Sequence, residues 1–218
     1  MGSDDLHHKR KQRDIKSLGR KSKNRSPRET VLIVCEGEKT ERHYFQGLKD
    51  ELKLTNLTIK GLGFDPKTLL SKAVKMLSED SCDRLYCVFD KDEHLSYQET
   101  VNTIEQYRNR KRGHIPVHAI TSVPCFEYWL LLHFKESTSP YEKTGNKSTG
   151  EKIVSDLKKY IPNYSKEDRD IFEKTKAHLD NAIKRAKKVR QQQKDNGTDN
   201  PSTKVHELVE YLKKLQDR

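Results

Sequence analysis

The chain has little apolar material. Of 218 residues only 32% are hydrophobic, with one Trp and two Met, whereas 35% are charged. Not every segment can enter a core, so the length fits one ordinary domain, or one core with an appendage. No long apolar run is present. The longest, around Tyr128 to Leu132, falls far short of the roughly 20 residues that span a bilayer, and no signal peptide precedes it. The four cysteines (Cys35, Cys82, Cys87, Cys125) show no C-x-x-C spacing. Reduced thiols in a cytoplasmic protein are the expectation. The nine histidines give no zinc pattern, because His114 and His118 straddle a loop–strand junction. The nucleophile motif G-x-S-x-G is missing. Gly37-Glu38-Lys39-Thr40 imitates the tail of a P-loop, but Glu38 and Ile33 stand where that motif needs glycines.

Positive charge, in contrast, is abundant. The formal net charge is +11, and residues 1–28 supply +7 of it, with ten Lys or Arg against three Asp. That segment has too few large apolar residues to offset its ordering entropy, so a basic arm, disordered or ordered by nucleic acid, is expected there. A second cluster comprises Lys184, Arg185, Lys187, Lys188 and Arg190. Such an excess favours a polyanionic partner, RNA or DNA, over a membrane surface, with the basic groups contacting phosphates.

Two apolar runs each end in acid. Val31-Leu32-Ile33-Val34-Cys35 leads into Glu36-Gly37, and Leu85-Tyr86-Cys87-Val88-Phe89 leads into Asp90-Lys91-Asp92. Near-continuous apolar runs suit strands buried on both faces of a parallel sheet. Parallel strands finish at one edge, so these acids can converge on one crevice. Three carboxylates there repel one another unless they protonate or share a cation, and Mg2+ (or Mn2+) is the usual hard cation. Asp90 and Asp92 alternate along an extended chain and can reach one metal. Gly37 permits a sharp turn and close approach to a phosphate. Lys39 is either a phosphate contact or a solvated lysine at a helix start. Glu41 is either a metal ligand or an acid favoured by the helix dipole. Glu127 lies among Phe126, Tyr128 and Trp129, and a buried carboxylate needs a partner: a metal, a proton in transfer, or a lysine.

The surrounding pattern alternates strands and helices. Strands are expected at 31–35, 56–60, 84–89 and 115–120, with helices at 40–53, 65–78 and 96–111. Asp65 and Pro66 form a start signal for the second helix. This order predicts an open parallel α/β sheet with right-handed crossovers. Thereafter the chain reads as a buried helix over 126–134, a polar loop over 135–149, and helices at 150–160, 167–192 and 202–216. The expected organisation is a basic arm (1–28), an α/β catalytic core (29–135) and a helical C-terminal extension (136–218) packed on the core.

Four segments together resemble the RloB family, bacterial proteins linked to restriction–modification loci and phage defence. They are Val34 to Glu41, Val88 to His94, Pro124 to Phe134, and Asn200-Pro201-Ser202-Thr203. The first two also resemble the Toprim fold of topoisomerases, primases and OLD-type nucleases. The resemblance implies a Toprim-like open parallel sheet flanked by helices, with Glu36, Asp90 and Asp92 holding Mg2+. By the same resemblance Glu41 matches a further acid of OLD-like relatives with a one-residue spacing difference. The implied activity is metal-dependent nuclease cleavage of RNA, tRNA included, or of DNA in antiviral defence (abortive infection), with partner proteins from the same locus. Glu36, Asp90, Asp92 and Glu127 are the expected catalytic residues. The alternative is a non-catalytic nucleic-acid-binding sensor or partner subunit.

Overall fold

The structure, a computed structural model, describes residues 29–79, 82–91, 95–108, 115–143 and 145–216. The basic arm and Asp92 lie outside these residues. Four parallel strands carry the fold: β1 (Val31–Cys35), β2 (Leu57–Gly61), β3 (Arg84–Asp90) and β4 (Val117–Val123). Between them run α1 (Thr40–Glu51), α2 (Pro66–Glu79) and α3 (Tyr97–Arg108). The sheet order is β2-β1-β3-β4-β5, where β5 (Ser202–Thr203) pairs antiparallel to β4. The expected class, an open, mostly parallel sheet flanked by helices with a helical C-terminal part, is the one observed.

Alternation along the strands explains their uninterrupted apolar character. Val31, Ile33 and Cys35 of β1 face one core, and Leu32 and Val34 face the other. The second core is closed by α2 and α3 through Leu69, Ala73, Val101 and Ile104. The first is larger. There Tyr44, Phe45 and Leu48 of α1 meet α4 (Glu127–Leu132), α5 (Thr149–Leu157), α6 (Ile171–Thr175), α7 (Leu179–Asp195) and α8 (Val205–Gln216). Every residue of α4 is buried, as its all-round apolar sequence requires. The Asp65 carboxylate caps α2, accepting from the Lys67 amide at 3.1 Å, and Pro66 opens the helix.

Three expectations shift. The continuous helix over 167–192 is broken. Ser165 Oγ accepts from the Glu167 amide and Asp168 Oδ1 from the Asp170 amide, each at 3.1 Å, so local turns compete with helix. A 3-10 turn over Lys176–His178 then separates α6 from α7. Residues 202–203 pair as β5, and the last helix begins at Val205. The strand expected at 115–120 begins at Val117 and continues to Val123, which carries Ser122 to the edge where Asp90 ends.

Candidate active site

Strand order decides where the acids meet. From β1 the chain crosses to β2 on one side, then to β3 on the other, so the topological switch point lies between β1 and β3. In open α/β sheets the crevice beyond such a point is where ligands bind. Glu36 follows β1 and Asp90 closes β3, and the two strands are direct neighbours. The Asp90 amide donates to Glu36 Oε2 at 3.1 Å, and the Glu36 amide donates to the Val88 carbonyl at 2.8 Å.

Two more carboxylates arrive from helix starts. Glu41, in the first turn of α1, is buried and accepts from the Gly37 amide. A Cβ at Gly37 would run into that carboxylate, so this glycine permits the Glu36–Glu41 turn. Glu127, at the first position of α4, is 4% exposed. Tyr164 donates its hydroxyl to Glu127 Oε1 at 3.0 Å, and Lys166 Nζ stands 3.7 Å from the same oxygen. Thr40 ties this lobe to α1, donating to the Lys166 carbonyl at 3.1 Å.

Asp90 is held on one side only. The Phe126 amide donates to its Oδ2 at 3.1 Å, while the buried Oδ1 has no hydrogen-bond partner among the described residues. Burial, then the Glu41 and Glu127 charges, pushes the Asp90 carboxyl well above the usual range, against the pull of the Phe126 amide. Burial and the neighbouring Glu36 charge raise Glu41 to about 8. Lys166 moves upward because Glu127 faces it. The site thus crowds four carboxyl groups together, with the exposed Lys166 ammonium beside them.

Oxygen ligands in this number suit a divalent cation, and Asp90 Oδ1, which accepts no hydrogen bond among the described residues, is one such ligand atom. Among the described residues, however, no three acid, His or Cys side chains stand as a ready-made ligand set. Glu36, Glu41, Asp90 and Glu127 are the described residues able to hold such an ion.

Two cavities meet at the acids. One, of about 470 Å³, has Glu36, Lys39, Glu41, Phe64, Asp90 and Glu127 in its wall. The other, of about 860 Å³, shares Asp90, Glu127 and Lys166 with it. Lys39 lies at the first cavity, where it pairs with Glu167. The 184–190 cluster is elsewhere and largely engaged within the protein. Arg185 Nη1 donates to the Leu132 and His133 carbonyls at 2.8 Å, closing the end of α4. Lys187 pairs with Glu210 at 2.6 Å, Lys188 with Glu136 at 2.7 Å, and Arg190 with Glu207. Lys187 and Arg190 also line a separate cavity of about 530 Å³ near Lys91 and Asp199, which are themselves paired at 2.7 Å. Lys184 stands near Asp180.

Sequence reasoning missed Tyr164 and Lys166, which lie in a polar stretch with no periodic signal. It also missed the work of Asn200. That side chain brackets Tyr141, accepting from its amide at 3.2 Å and donating to its carbonyl at 2.9 Å, next to β5. No helix among the described residues is long and apolar enough to cross a membrane.

Comparison with known proteins returns one family. No curated protein and no solved structure matches the chain. The family described as RloB-like protein matches residues 31–212, a span that runs from the first residue of β1 into α8 and includes all four clustered carboxylates. The chain therefore belongs to the RloB-like family.

Proposed function

We propose that this protein is a divalent-metal-dependent nuclease that cleaves phosphodiester bonds of RNA or DNA in antiviral defence. The observation that carries the reading is the convergence of Glu36, Glu41, Asp90 and Glu127 at the β1–β3 switch point, with Asp90 Oδ1 buried and unpartnered. The Toprim-like resemblance of the first two motifs supports it, adding Asp92 as a ligand. Mg2+ or Mn2+, held by Glu36, Asp90 and Asp92 with Glu41 assisting, would supply Lewis-acid stabilisation of the charge developing on phosphate oxygens.

The chain's own groups keep the acids apart and oriented. The Phe126 amide fixes Asp90, the Gly37 amide fixes Glu41, and Tyr164 fixes Glu127. Lys166 faces the same cavity and offers an ammonium to a phosphate oxygen. Glu127 has its second oxygen free of Tyr164 and is placed to accept a proton from an attacking water. Burial of Asp90 and Glu41 strengthens each of these electrostatic contacts relative to water.

The test is incubation of the full chain with labelled tRNA, single-stranded DNA and double-stranded DNA under Mg2+ and under Mn2+, beside Asp90→Ala and Asp92→Ala. Cleavage should require metal and vanish in both variants and in excess EDTA. Persistent cleavage of RNA and DNA by Asp90→Ala would sink the assignment. A second reading is a nucleic-acid-binding sensor or partner subunit whose acids hold a structural metal, since the convergence of Glu36, Glu41, Asp90 and Glu127 on one cavity serves metal binding with or without turnover. Binding without turnover under either metal would select it. Location in the cytoplasm and action beside other proteins of a defence locus belong to both readings.

A further inference from the structure

The two cavities that meet at the acids differ in chemistry, and the difference bears on what enters them. In the smaller one Phe64 follows Gly63, whose amide donates to the Glu36 carbonyl at 2.9 Å. This places an aromatic ring one residue from the backbone of a candidate metal ligand. Phe64 is one of few large apolar side chains the fold leaves exposed, at 38%. Lys72 Nζ lies 4.4 Å from its ring centroid, holding one face by a cation–π contact. Gly63 adopts φ +66°, and a Cβ there would press on the Glu38 carboxylate, so the backbone presenting Phe64 depends on a glycine.

The aromatic in the wall of the larger cavity, Tyr164, is buried at 4% exposure and committed to Glu127, so it does not present an exposed ring face as Phe64 does. The same wall carries Lys143, Lys147 and Lys158, which form no ion pair among the described residues, together with Lys166. The acid opposite them, Glu151, is committed to the cap of α5, accepting from the Ser148 amide at 2.7 Å. A ring able to stack therefore lies on one side of the four carboxylates and unpaired lysines on the other.

We propose that the two cavities form one track for a single-stranded nucleic acid. An unpaired base stacks on Phe64, one phosphodiester lies over Asp90, Glu127 and Lys166, and the next phosphates lie along Lys143, Lys147 and Lys158. Base–aromatic stacking tolerates any sequence but needs an exposed base face, which a duplex withholds unless a nucleotide is extruded. Lysines read phosphates as point charges without base preference. The track is thus selective for strandedness rather than sequence. The inference rests on the nucleic-acid reading of the site and adds which form is taken.

The experiment measures fluorescence anisotropy of labelled 12-nucleotide single strands, RNA and DNA in separate arms, and of a blunt duplex. The full chain is used once in EDTA and once in Ca2+. A single strand should bind at least tenfold tighter than the duplex. Phe64→Ala should weaken the single strand roughly tenfold while Phe64→Tyr retains it. Lys147→Ala with Lys158→Ala should lower the slope of log K against log salt by about 0.7 per lysine removed. Equal or tighter duplex binding, no binding in either buffer, or Phe64→Ala behaving as the parent overturns the track. Single-strand binding that follows these variants, in a protein without Mg2+- or Mn2+-dependent cleavage, upholds the track while removing the nuclease. Asp90-dependent cleavage of duplexes that ignores Phe64→Ala does the reverse.

Discussion

Tyr164 donates its hydroxyl to Glu127 Oε1 at 3.0 Å, joining residues 37 positions apart and tying the C-terminal third of the chain to the acid cluster. Tyr164 is 4% exposed and Glu127 equally so. Tyr164→Phe removes the hydroxyl that pairs this buried carboxylate and leaves the exposed Lys166 as its charged neighbour. Stability should fall by about 1–3 kcal/mol, the usual cost of unpairing a buried group, read from the urea midpoint. Coupling near zero in a double-mutant cycle with Glu127→Gln would refute the link.

Glu41 should impose a pH dependence on metal-free protein. Its carboxyl is raised to about 8 by burial and by Glu36, so the folded state holds a proton that the unfolded state releases near 4.5. The stability it contributes is complete below 4.5 and is lost as pH rises through 8. Thermal midpoints in EDTA should decline from pH 6.5 to 8.5. Glu41→Gln, which keeps the neutral form's shape, should flatten the decline in part, with Asp90 accounting for the remainder. An unchanged slope in Glu41→Gln would count against this arrangement.

The opposite sign applies on the acid side. Burial holds His133 and His206 at about 4, below their ordinary 6.5. Each stays neutral in the fold while the unfolded chain binds a proton, so stability is present above 6.5 and is lost as pH falls toward 4. Glu41 and Asp90 take up protons in the fold over the same interval and pull the other way, so the histidine contribution is read as a difference between proteins. The midpoint of His206→Gln minus that of the parent should grow as pH falls from 6.5 to 4.5. A difference constant over that interval would contradict this burial.

Asp90 separates metal binding from catalysis. In EDTA, Asp90→Asn should raise the thermal midpoint near neutral pH, because the buried carboxyl must take up a proton or bear its neighbours' repulsion, a cost the amide lacks. Addition of Mg2+ or Mn2+ should raise the midpoint of the parent, since a ligand bound only to the folded state stabilises it, and should leave Asp90→Asn unmoved. Equal metal shifts in both proteins would argue against Asp90 as a ligand.

Arg185 was expected to contact phosphates, yet its guanidinium holds the last carbonyls of α4. Arg185→Ala should cost roughly 1–3 kcal/mol by leaving two carbonyl oxygens unpaired, whereas Lys184→Ala should change stability by under about 0.5 kcal/mol. Chemical denaturation of the two variants compares them directly. Arg185→Ala as stable as the parent would return this residue to the pool of free surface charge.

Much of the site was legible because its signals are local. An apolar strand ending in acid needs only five to seven consecutive residues to be recognised, and Glu36 and Asp90 fall where those strands stop. The Asp65-Pro66 start signal is equally local, and α2 begins there. The break in the helix expected over 167–192 was not legible. Its residues keep an apolar helical stripe, yet the Ser165 and Asp168 turns delay its start to Ile171 and the 3-10 turn over Lys176–His178 interrupts it. The 184–190 basic cluster shows the same limit: charge is visible in a sequence, but its partners Glu207, Glu210 and Glu136 come from other segments.

Side-chain period and chain direction are properties of a segment, so the α/β order, the burial of both sheet faces and the acids at strand ends were readable from the residues alone. The remainder came from how distant segments pack. Strand order 2-1-3-4 puts β1 beside β3 and makes Glu36 a neighbour of Asp90. The return of the chain beyond α5 brings Tyr164 and Lys166 to Glu127. Both depend on which distant segments share a core, and no local pattern records that choice.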